Sequence, residues 1–534
     1  LRAERDPGMS EYFFHYTYPR LLESILLCWA GLVGLNFKTI ASAFKPILTR
    51  GGALAAAALF AAAILVRVAV FPPRHQVYFD EFLDEDVAAN IARGNVFGES
   101  EAGGSRGQPI LRTPSRPGGF HVLLGAFFRL TGIREKAAFG FNAVLAASCV
   151  PLIFLLAALV FDDQGAGLFS AFLLAALPLH IRFSGTTELT ACSGFWILMV
   201  LLALALYLKA RTVPLFLLLL ACGLYAANVR FENLALVPFA GAVLARHWRR
   251  SPPAPKTGYL ATPWAFFLLL LPVLGLIVNN RREDLLGFND APLDALHNLF
   301  RHVPSNLYYF LSKPADGVIL APLAALAFFK ERGESAAWVK RLLWLGALFL
   351  IVCSLHVNAD FNDGAFDRLA MPFFLCVITV AAGGFKAVLG STPARKALAA
   401  AIPAAFVLLS IPFYGERPPE RLEVENRLVQ ESSTVLPKDA FVISYCPAII
   451  LVDAGRPAIS TLLVLQGGEA SLDLLDQQGR SPLVLFKDLL WFKYADQTAP
   501  LEKLLQRRYA YSPLKLAVID SKEYGFYLLT RRPS

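Results

Sequence analysis

The stretch VYFDEFLDED, Val77–Asp86, decides how this chain is read. Five of the seven residues from Asp80 to Asp86 are carboxylates, and they follow closely on an apolar segment that ends at Phe71. Carboxylates are costly to place near hydrocarbon, so a dense cluster there calls for a reason beyond solubility. Asp84, Glu85 and Asp86 suit the N-terminal turns of a helix, where negative charge meets the positive end of the helix dipole. Asp80 and Glu81 come just before them and are the members best placed for chemistry.

The surrounding chain is greasy. Its 534 residues are 56% hydrophobic and 17% charged, with mean hydropathy +0.51. A soluble globule carries roughly 25% charged residues. Apolar runs fall at about 52–71, 137–161, 166–181, 189–208, 213–229, 233–246, 259–278, 316–329, 339–357, 369–385 and 395–414. Each approaches the roughly 20 residues of a bilayer crossing. The pattern predicts an α-helical polytopic membrane protein with roughly 11–13 spans. Six of the seven cysteines lie in apolar runs, show no metal-binding spacing, and read as small buried hydrophobes. The net charge of +9 needs no nucleic acid, because Lys and Arg collect in cytoplasmic loops.

The basic loops set an orientation. Arg50, RHWRR at 246–250, KERGE at 330–334 with Lys340 and Arg341, and Lys386 with ARK at 394–396 alternate with less basic connections. Placing them inside puts 72–136, 182–188, 279–315, 358–368 and everything after 414 outside the cytoplasm. FDDQGAG at 161–167 falls inside without a positive charge. Residues 1–50 read as a cytoplasmic or interfacial segment, with 21–37 as a helix lying on the membrane between Glu23 and Lys38. No cleavable signal peptide is evident. Residues 51–414 form the transmembrane domain, with 72–136 as its first outer loop. Residues 415–534 change character: the runs AFVISY, PAIILV, PLVLF, KLAVID and GFYLLT alternate with helical stretches such as APLEKLLQRRYA. That predicts a C-terminal α/β domain outside the membrane.

On this topology the ionisable residues gather on one face. The first outer loop holds the acidic cluster and Arg106, Arg112, Arg116 and His121. The second, LHIRFSGTTELT, holds His180, Arg182 and Glu188. NVRFENL holds Arg230 and Glu232, and HVNADFNDGAFDRLAMP holds Asp360, Asp363, Asp367 and Arg368. Carboxylates deprotonate an acceptor or hold a divalent metal, and arginines grip phosphate with a fixed fork of donors. Both together at a non-cytoplasmic membrane surface suit a donor that carries its own activation, a lipid-linked sugar phosphate. The plain readings stand beside this one: a solvated acidic loop for Asp80 and Glu81, snorkelling or paired arginines for Arg182, Arg230 and Arg368, headgroup anchors for Arg112 and Arg116, and structural roles for His121 and His180.

Five segments together resemble the GT-C class of glycosyltransferases, in its protein O-mannosyltransferase-like and lipid A aminoarabinose-transferase-like branch. They are YFDEFLDEDVAANIARG (78–94), RPGGFHVLLGAFFRLTG (116–132), LPLHIRFSGTTELTACSGFW (177–196), GLYAANVRFENLALVP (223–238) and DRLAMPFF (367–374). Glu188 stands where that class often has Asp, Gly118-Gly119 replace a His-Pro-Pro pattern, and Arg230-Phe231 replace a basic-Tyr pair. The resemblance implies a polyprenyl-phosphate sugar donor, an acceptor glycan, lipid or protein, and an inverting single displacement in a prokaryotic plasma membrane. It implies Asp80 as general base, with Glu81 orienting it or the acceptor. Arg182, Arg230 and Arg368 would stabilise the leaving phosphate, with Arg116 and His121 as further substrate contacts. Glu188 would fix an arginine or join Asp80 at a Mg²⁺ or Mn²⁺ ion, although the class implies no essential metal. A transporter or lipid flippase, and a non-catalytic scaffold of the same fold, are the alternatives. The former expects internal repeats, mid-span charges and broken helices; here no repeat is visible and the charges lie at span ends, mostly on one face, while Pro178, Pro214, Pro238 and Pro372 are the helix breakers it would use. An oligosaccharyltransferase or polymer ligase stays open within the enzyme reading, although no Trp-Trp-Asp signature is present.

Overall fold

The computed structural model describes residues 9–71, 73–77, 79–103, 110–250, 266–267, 270–277, 292–355, 360–362, 366–389, 392–416, 420–477 and 482–532. Half of the expected run at 259–278 lies outside them, as does Asp363. Among them, seven helices are long and apolar enough to cross a membrane, and nine spans result if two bent pairs count once each. Two shorter apolar helices, Gly119–Thr131 and Val213–Ala227, add to the bundle.

The first long helix, α1 (Tyr18–Phe44), takes in the whole of 21–37 and is long and apolar enough to cross a membrane. Glu23 and Lys38 suggest a short surface segment, but both fall inside a 27-residue helix. Glu23 is paired with Arg129 at 2.9 Å, which offsets the cost of a carboxylate within an apolar helix. The start of α1 lies at the same end of the bundle as the acidic cluster. The Tyr18 hydroxyl donates to Asn228 at 2.8 Å and accepts from the Gly118 amide, and the Phe97 amide donates to the His15 carbonyl at 2.9 Å.

Helix α2 (Arg50–Leu65, continued by a π-turn Val66–Val70) returns to that end. Asp80–Gly94 then forms α3, followed by α4 (Gly119–Thr131), α5 (Glu135–Phe161), α6 (Gln164–Ala176), the short α7 (Pro178–Ser184), α8 (Thr190–Ala210), α9 (Val213–Ala227) and α10 (Leu236–Arg250). The later bundle contains α11 (Pro292–Ser312), α12 (Ala321–Lys330), α13 (Gly333–Ser354), α14 (Met371–Val388) and α15 (Pro393–Tyr414). Arg50 at the start of α2 and the basic residues that end α10, α12 and α14 (RHWRR at 246–250, Lys330 and Lys386) lie at the end away from the acidic cluster. The 161–167 connection is there too, and its acid acts locally. Asp163 caps α6 by accepting from the Ala166 amide at 2.6 Å.

The last part of the chain forms a seven-stranded sheet that draws on the first loop. With β1 (Glu99–Gly103), β2 (Ile110–Arg112), β3 (Phe441–Ser444), β4 (Ala458–Ser460), β5 (Leu483–Lys487), β6 (Tyr509–Ile519) and β7 (Lys522–Arg531), the order is β2-β1-β4-β3-β5-β7-β6. Strands β4, β3 and β5 run parallel; the other pairings are antiparallel. The PAIILV run is helical rather than a strand, because Pro447 opens a turn that continues through Ala454. The apolar side of α3 completes this domain: Phe82 is buried in one cluster with Leu422, Ile449 and Phe526.

The bundle closes through small residues. A Cβ on Gly384 of α14 would meet the Leu323 carbonyl oxygen at 1.9 Å, whereas one on Gly346 of α13 would meet only ordinary contacts from 3.5 Å. Gly384→Ala is expected to cost about 1–3 kcal/mol through overpacking. It should lower the thermal unfolding midpoint of the purified protein, while Gly346→Ala leaves it nearly unchanged; equal midpoints would contradict the close approach.

Candidate active site

Helical spacing explains DEFLDE. Asp80 and Asp84 are four residues apart, as are Glu81 and Glu85, so the four acids form two stripes on adjacent faces of α3. The helix starts with Asp80 and Glu81 in its first turn and ends with Asn95 in the left-handed conformation, φ 55°.

The Asp80 stripe meets arginines. Asp80 Oδ1 pairs with Arg116, and its Oδ2 accepts from Arg368 Nη2 at 2.8 Å. Asp84 accepts from Arg116 at 3.2 Å and from His121 Nε2 at 2.9 Å. Arg368 Nε faces Glu188 Oε1 at 3.5 Å, and Glu188 Oε1 accepts from Arg230 Nη1 at 3.2 Å. Glu232 pairs with Arg230 at 3.4 Å. The result is one alternating ladder, Asp84–Arg116–Asp80–Arg368–Glu188–Arg230–Glu232. Burial disfavours the charge on Asp80, yet Arg116 and Arg368 together hold its carboxyl below the ordinary Asp range. Burial wins at Asp84, whose carboxyl is pushed up despite Arg116 and His121. The two acids of the stripe are thus shifted in opposite directions, Asp80 toward the ionised form.

The Glu81 stripe turns to the protein. Glu81 is wholly buried and accepts from the backbone amides of Gln76 (2.6 Å), Val77 (2.8 Å) and Thr187 (2.9 Å), and it meets His75 Nδ1 at 3.0 Å. The other His75 nitrogen, Nε2, meets Glu135 at 2.8 Å. Burial opposes the His75 charge, but Glu81 and Glu135 hold the ring protonated well above the ordinary histidine range. The geometry gives Glu81 a positioning role: it ties the segment before α3 to the loop that carries Arg182 and Glu188. Burial pushes Glu85 up to about 8, so it is neutral at pH 7. Asp86, the fifth acid, accepts from the Ser100 amide at 2.7 Å and anchors β1 to α3.

Arg182 stands apart from Arg230 and Arg368. It pairs with Asp367 and with Glu416, the latter at 2.5 Å. Asp367 also accepts from the Tyr309 hydroxyl at 3.0 Å. The Arg182–Glu188 loop is held from below by the buried Asn142 amide, which donates to the Phe183, Thr186 and Glu188 carbonyls. His75, Glu135, Asn142, Tyr309 and Glu416 carry no motif. Their partners are up to 234 residues away in sequence, so only the fold reveals them.

A narrow cleft adjoins the ladder, lined by Thr190, Ser193, Arg230, Glu232, Arg368 and Met371 among others. Arg368 is buried, and its Nη1 has no hydrogen-bond partner among the described residues. Asp80 and Glu188, the pair open to a metal in the sequence, are each occupied by guanidinium groups. No group of three His, Cys, Asp or Glu side chains among the described residues is arranged to hold a metal ion.

The architecture has known counterparts. The crystal structure of ArnT from Cupriavidus metallidurans bound to undecaprenyl phosphate aligns at TM-score 0.53 and 12% identity, over 90% of this chain and 98% of that one. This chain has the GT-C glycosyltransferase fold. The apo state of the same ArnT aligns at TM-score 0.53 and 11% identity, over 89% and 97%. The archaeal oligosaccharyltransferase AglB from Archaeoglobus fulgidus, in complex with an inhibitory peptide and a dolichol-phosphate, aligns at TM-score 0.48 and 12% identity, over 86% and 73%. No family model and no curated protein sequence matches the chain.

Glu81→Gln removes the charge that three amides and His75 share. Breaking such a buried set costs about 3–5 kcal/mol. Amide exchange at Gln76, Val77 and Thr187 should accelerate strongly in the variant; unchanged protection would contradict the positioning role.

Proposed function

We propose that this protein is a glycosyltransferase that moves a sugar from a polyprenyl-phosphate donor to an acceptor hydroxyl, at the acidic end of its bundle and on the side away from the cytoplasm. The observation that carries this reading is the double engagement of Arg368. One guanidinium nitrogen holds the ionised Asp80, while another is unpartnered in a residue that lines the adjoining cleft. A base and a phosphate-binding group are therefore side by side. The basic segments gathered at the opposite end support the orientation, and the GT-C fold supports the reaction class.

In this mechanism the donor phosphate enters the cleft against Arg368 and Arg230. The acceptor oxygen attacks C1 of the sugar while Asp80 takes its proton. The C1–O bond to phosphate breaks, and the electron pair leaves on the polyprenyl phosphate. Arg368 and Arg230 stabilise that charge as it develops. As phosphate draws on Arg368, its hold on Asp80 weakens and the carboxylate becomes a stronger base at the moment it is needed. A single displacement inverts the anomeric centre. Glu188 keeps Arg230 and Arg368 in register, while Arg116 holds Asp80 from the other side.

The first test is a panel of polyprenyl-phosphate sugars presented to the purified protein in lipid. Wild type should release the sugar from its cognate donor, and Asp80→Asn should lose about 10²–10⁴-fold in turnover while staying folded. Equal turnover in both would remove Asp80 as the base. The pH profile gives a second test. Because Asp80 acts only when ionised and its pKa is lowered by Arg116 and Arg368, the acid limb of kcat/KM should lie below the ordinary Asp value of 3.8. Arg116→Met removes one lowering charge, so the limb should move upward by about 1 unit or more; an unmoved limb would separate Asp80 from the titration. With guanidinium groups already on Asp80 and Glu188, we propose that no divalent ion is essential. Chelation should leave turnover within about twofold, and a loss reversed by Mg²⁺ or Mn²⁺ would overturn that.

A further inference from the structure

A second cleft lies beside the first and shares no lining residue with it. Its walls are Leu177, Pro178, Leu179, Lys313, Ala315, Asp316, Phe374, Ser410 and Phe413. Two helix breaks meet here. Helices α6 and α7 bend by 58° at Leu177, and the α11–α12 pair bends by 88° across residues 313–315. Interrupted backbone at membrane depth is tolerated where it is packed in protein or lines a polar cavity, and here two breaks face one narrow cleft.

The polar groups there are unevenly matched. Lys313 Nζ donates to the Tyr309 hydroxyl at 2.7 Å and lies 4.1 Å from the centre of that ring. No carboxylate lies within ion-pair distance of it among the described residues, whereas Arg116, Arg182, Arg230 and Arg368 all have one. An ammonium carries three donors, and one is spent on a phenol. Around it stand Phe374, Phe413, Leu177 and Leu179, surfaces suited to a hydrocarbon chain. Helix α15, which supplies Ser410 and Phe413, is among the least buried of the spans, so the cleft borders the lipid-facing surface. Phe413 also lies 5.3 Å from the Lys313 ammonium.

We propose that this cleft is a second anionic-lipid site, in which Lys313 takes the phosphate headgroup of a membrane lipid while the aromatic and aliphatic walls take the start of its chain. It is separate from the Arg368 cleft that the proposed transfer uses, and it does not depend on that reading. A terminal phosphate monoester, which carries up to two charges, gains more than a phosphodiester with one from the Lys313 ammonium, which Glu416 and Asp316 offset only from beyond ion-pair distance. Asp316 on the same wall adds a preference against ligands that extend negative charge further into the cleft.

The test is direct binding to the full-length protein in nanodiscs of zwitterionic lipid. The probes are a short-chain polyprenyl monophosphate and phosphatidic acid, compared in wild type, Lys313→Met, Lys313→Arg and Arg230→Met. Losing one charge-assisted contact should weaken monoester binding about 10-fold in Lys313→Met. Lys313→Arg should retain it, and Arg230→Met should leave this component in place. Loss for polyprenyl phosphate alone identifies the discharged carrier as the ligand; loss for both probes identifies a general phosphate headgroup. Unchanged binding in Lys313→Met, with the wild-type unfolding midpoint, overturns the site. If Lys313→Met unfolds, Phe413→Ala in the opposite wall serves instead, and unchanged binding there would overturn it equally. Because the readout is binding, failure of the transfer reading leaves this result standing, and the reverse holds too.

Discussion

The acidic end of the molecule depends on one constraint: charges removed from water must be met by opposite charges at hydrogen-bond distance. The ladder from Asp84 to Glu232 meets it by alternation, each inner rung serving two neighbours. Such an arrangement is poor as a source of net stability, since desolvation consumes much of the Coulombic gain. Its effect is positional. It joins α3, the segment before α4, the start of α8, the turn after α9 and the start of α14, five pieces far apart in the chain. Removing an inner group takes one partner from each of two neighbours, so the pieces hold their register together.

Helix α3 is the part where this constraint is most visible. One face carries Asp80 and Asp84 to the arginines, a second carries Glu81 and Glu85 toward His75 and Thr187, and a third lays Phe82 into the C-terminal domain. Asp86 adds the tie to β1, and β1 pairs with β4 of that domain. The outer sheet and the ladder are therefore anchored on the same fifteen-residue helix. Anything that shifts the C-terminal domain acts on the helix that carries the proposed base, which gives that domain a physical route to the chemistry. The domain has a polar interior of its own: burial pushes the Asp488 carboxyl up to about 7 beside Glu425, also raised, so the pair favours its protonated form. Raised folded-state values mean that this pair contributes most at acid pH and loses its contribution as pH rises through about 7.

Much of this is legible in the sequence because it rests on local pattern. Apolar run length exposes most spans, basic loops mark one end, and the DEFLDE spacing points to a helix with sorted acids. The full extent of α1 is less legible because Glu23 looks like a boundary, yet it lies inside the helix and pairs with Arg129, 106 residues away. PAIILV looks like a strand by composition, but Pro447 opens a helical turn. Asp80, Arg116, His121, Glu188, Arg230 and Arg368 do come together, while Arg182 is drawn off by Asp367 and Glu416. Glu81, adjacent to Asp80, faces another way because neighbouring helical residues are rotated by about 100°. Lys313 and His75 give no signal, since a single cation or imidazole means nothing until its surroundings are known.

The central claim is that Asp80 and Arg368 form the two halves of one reaction centre. The most direct measurement is an experimental structure of the protein with polyprenyl phosphate bound. The account predicts a phosphate within hydrogen-bond distance of Arg368, with Arg230 on its flank and Asp80 on the side from which an acceptor would approach. A phosphate seated elsewhere, with the Asp80–Arg368 pair untouched and no path between them, would contradict it.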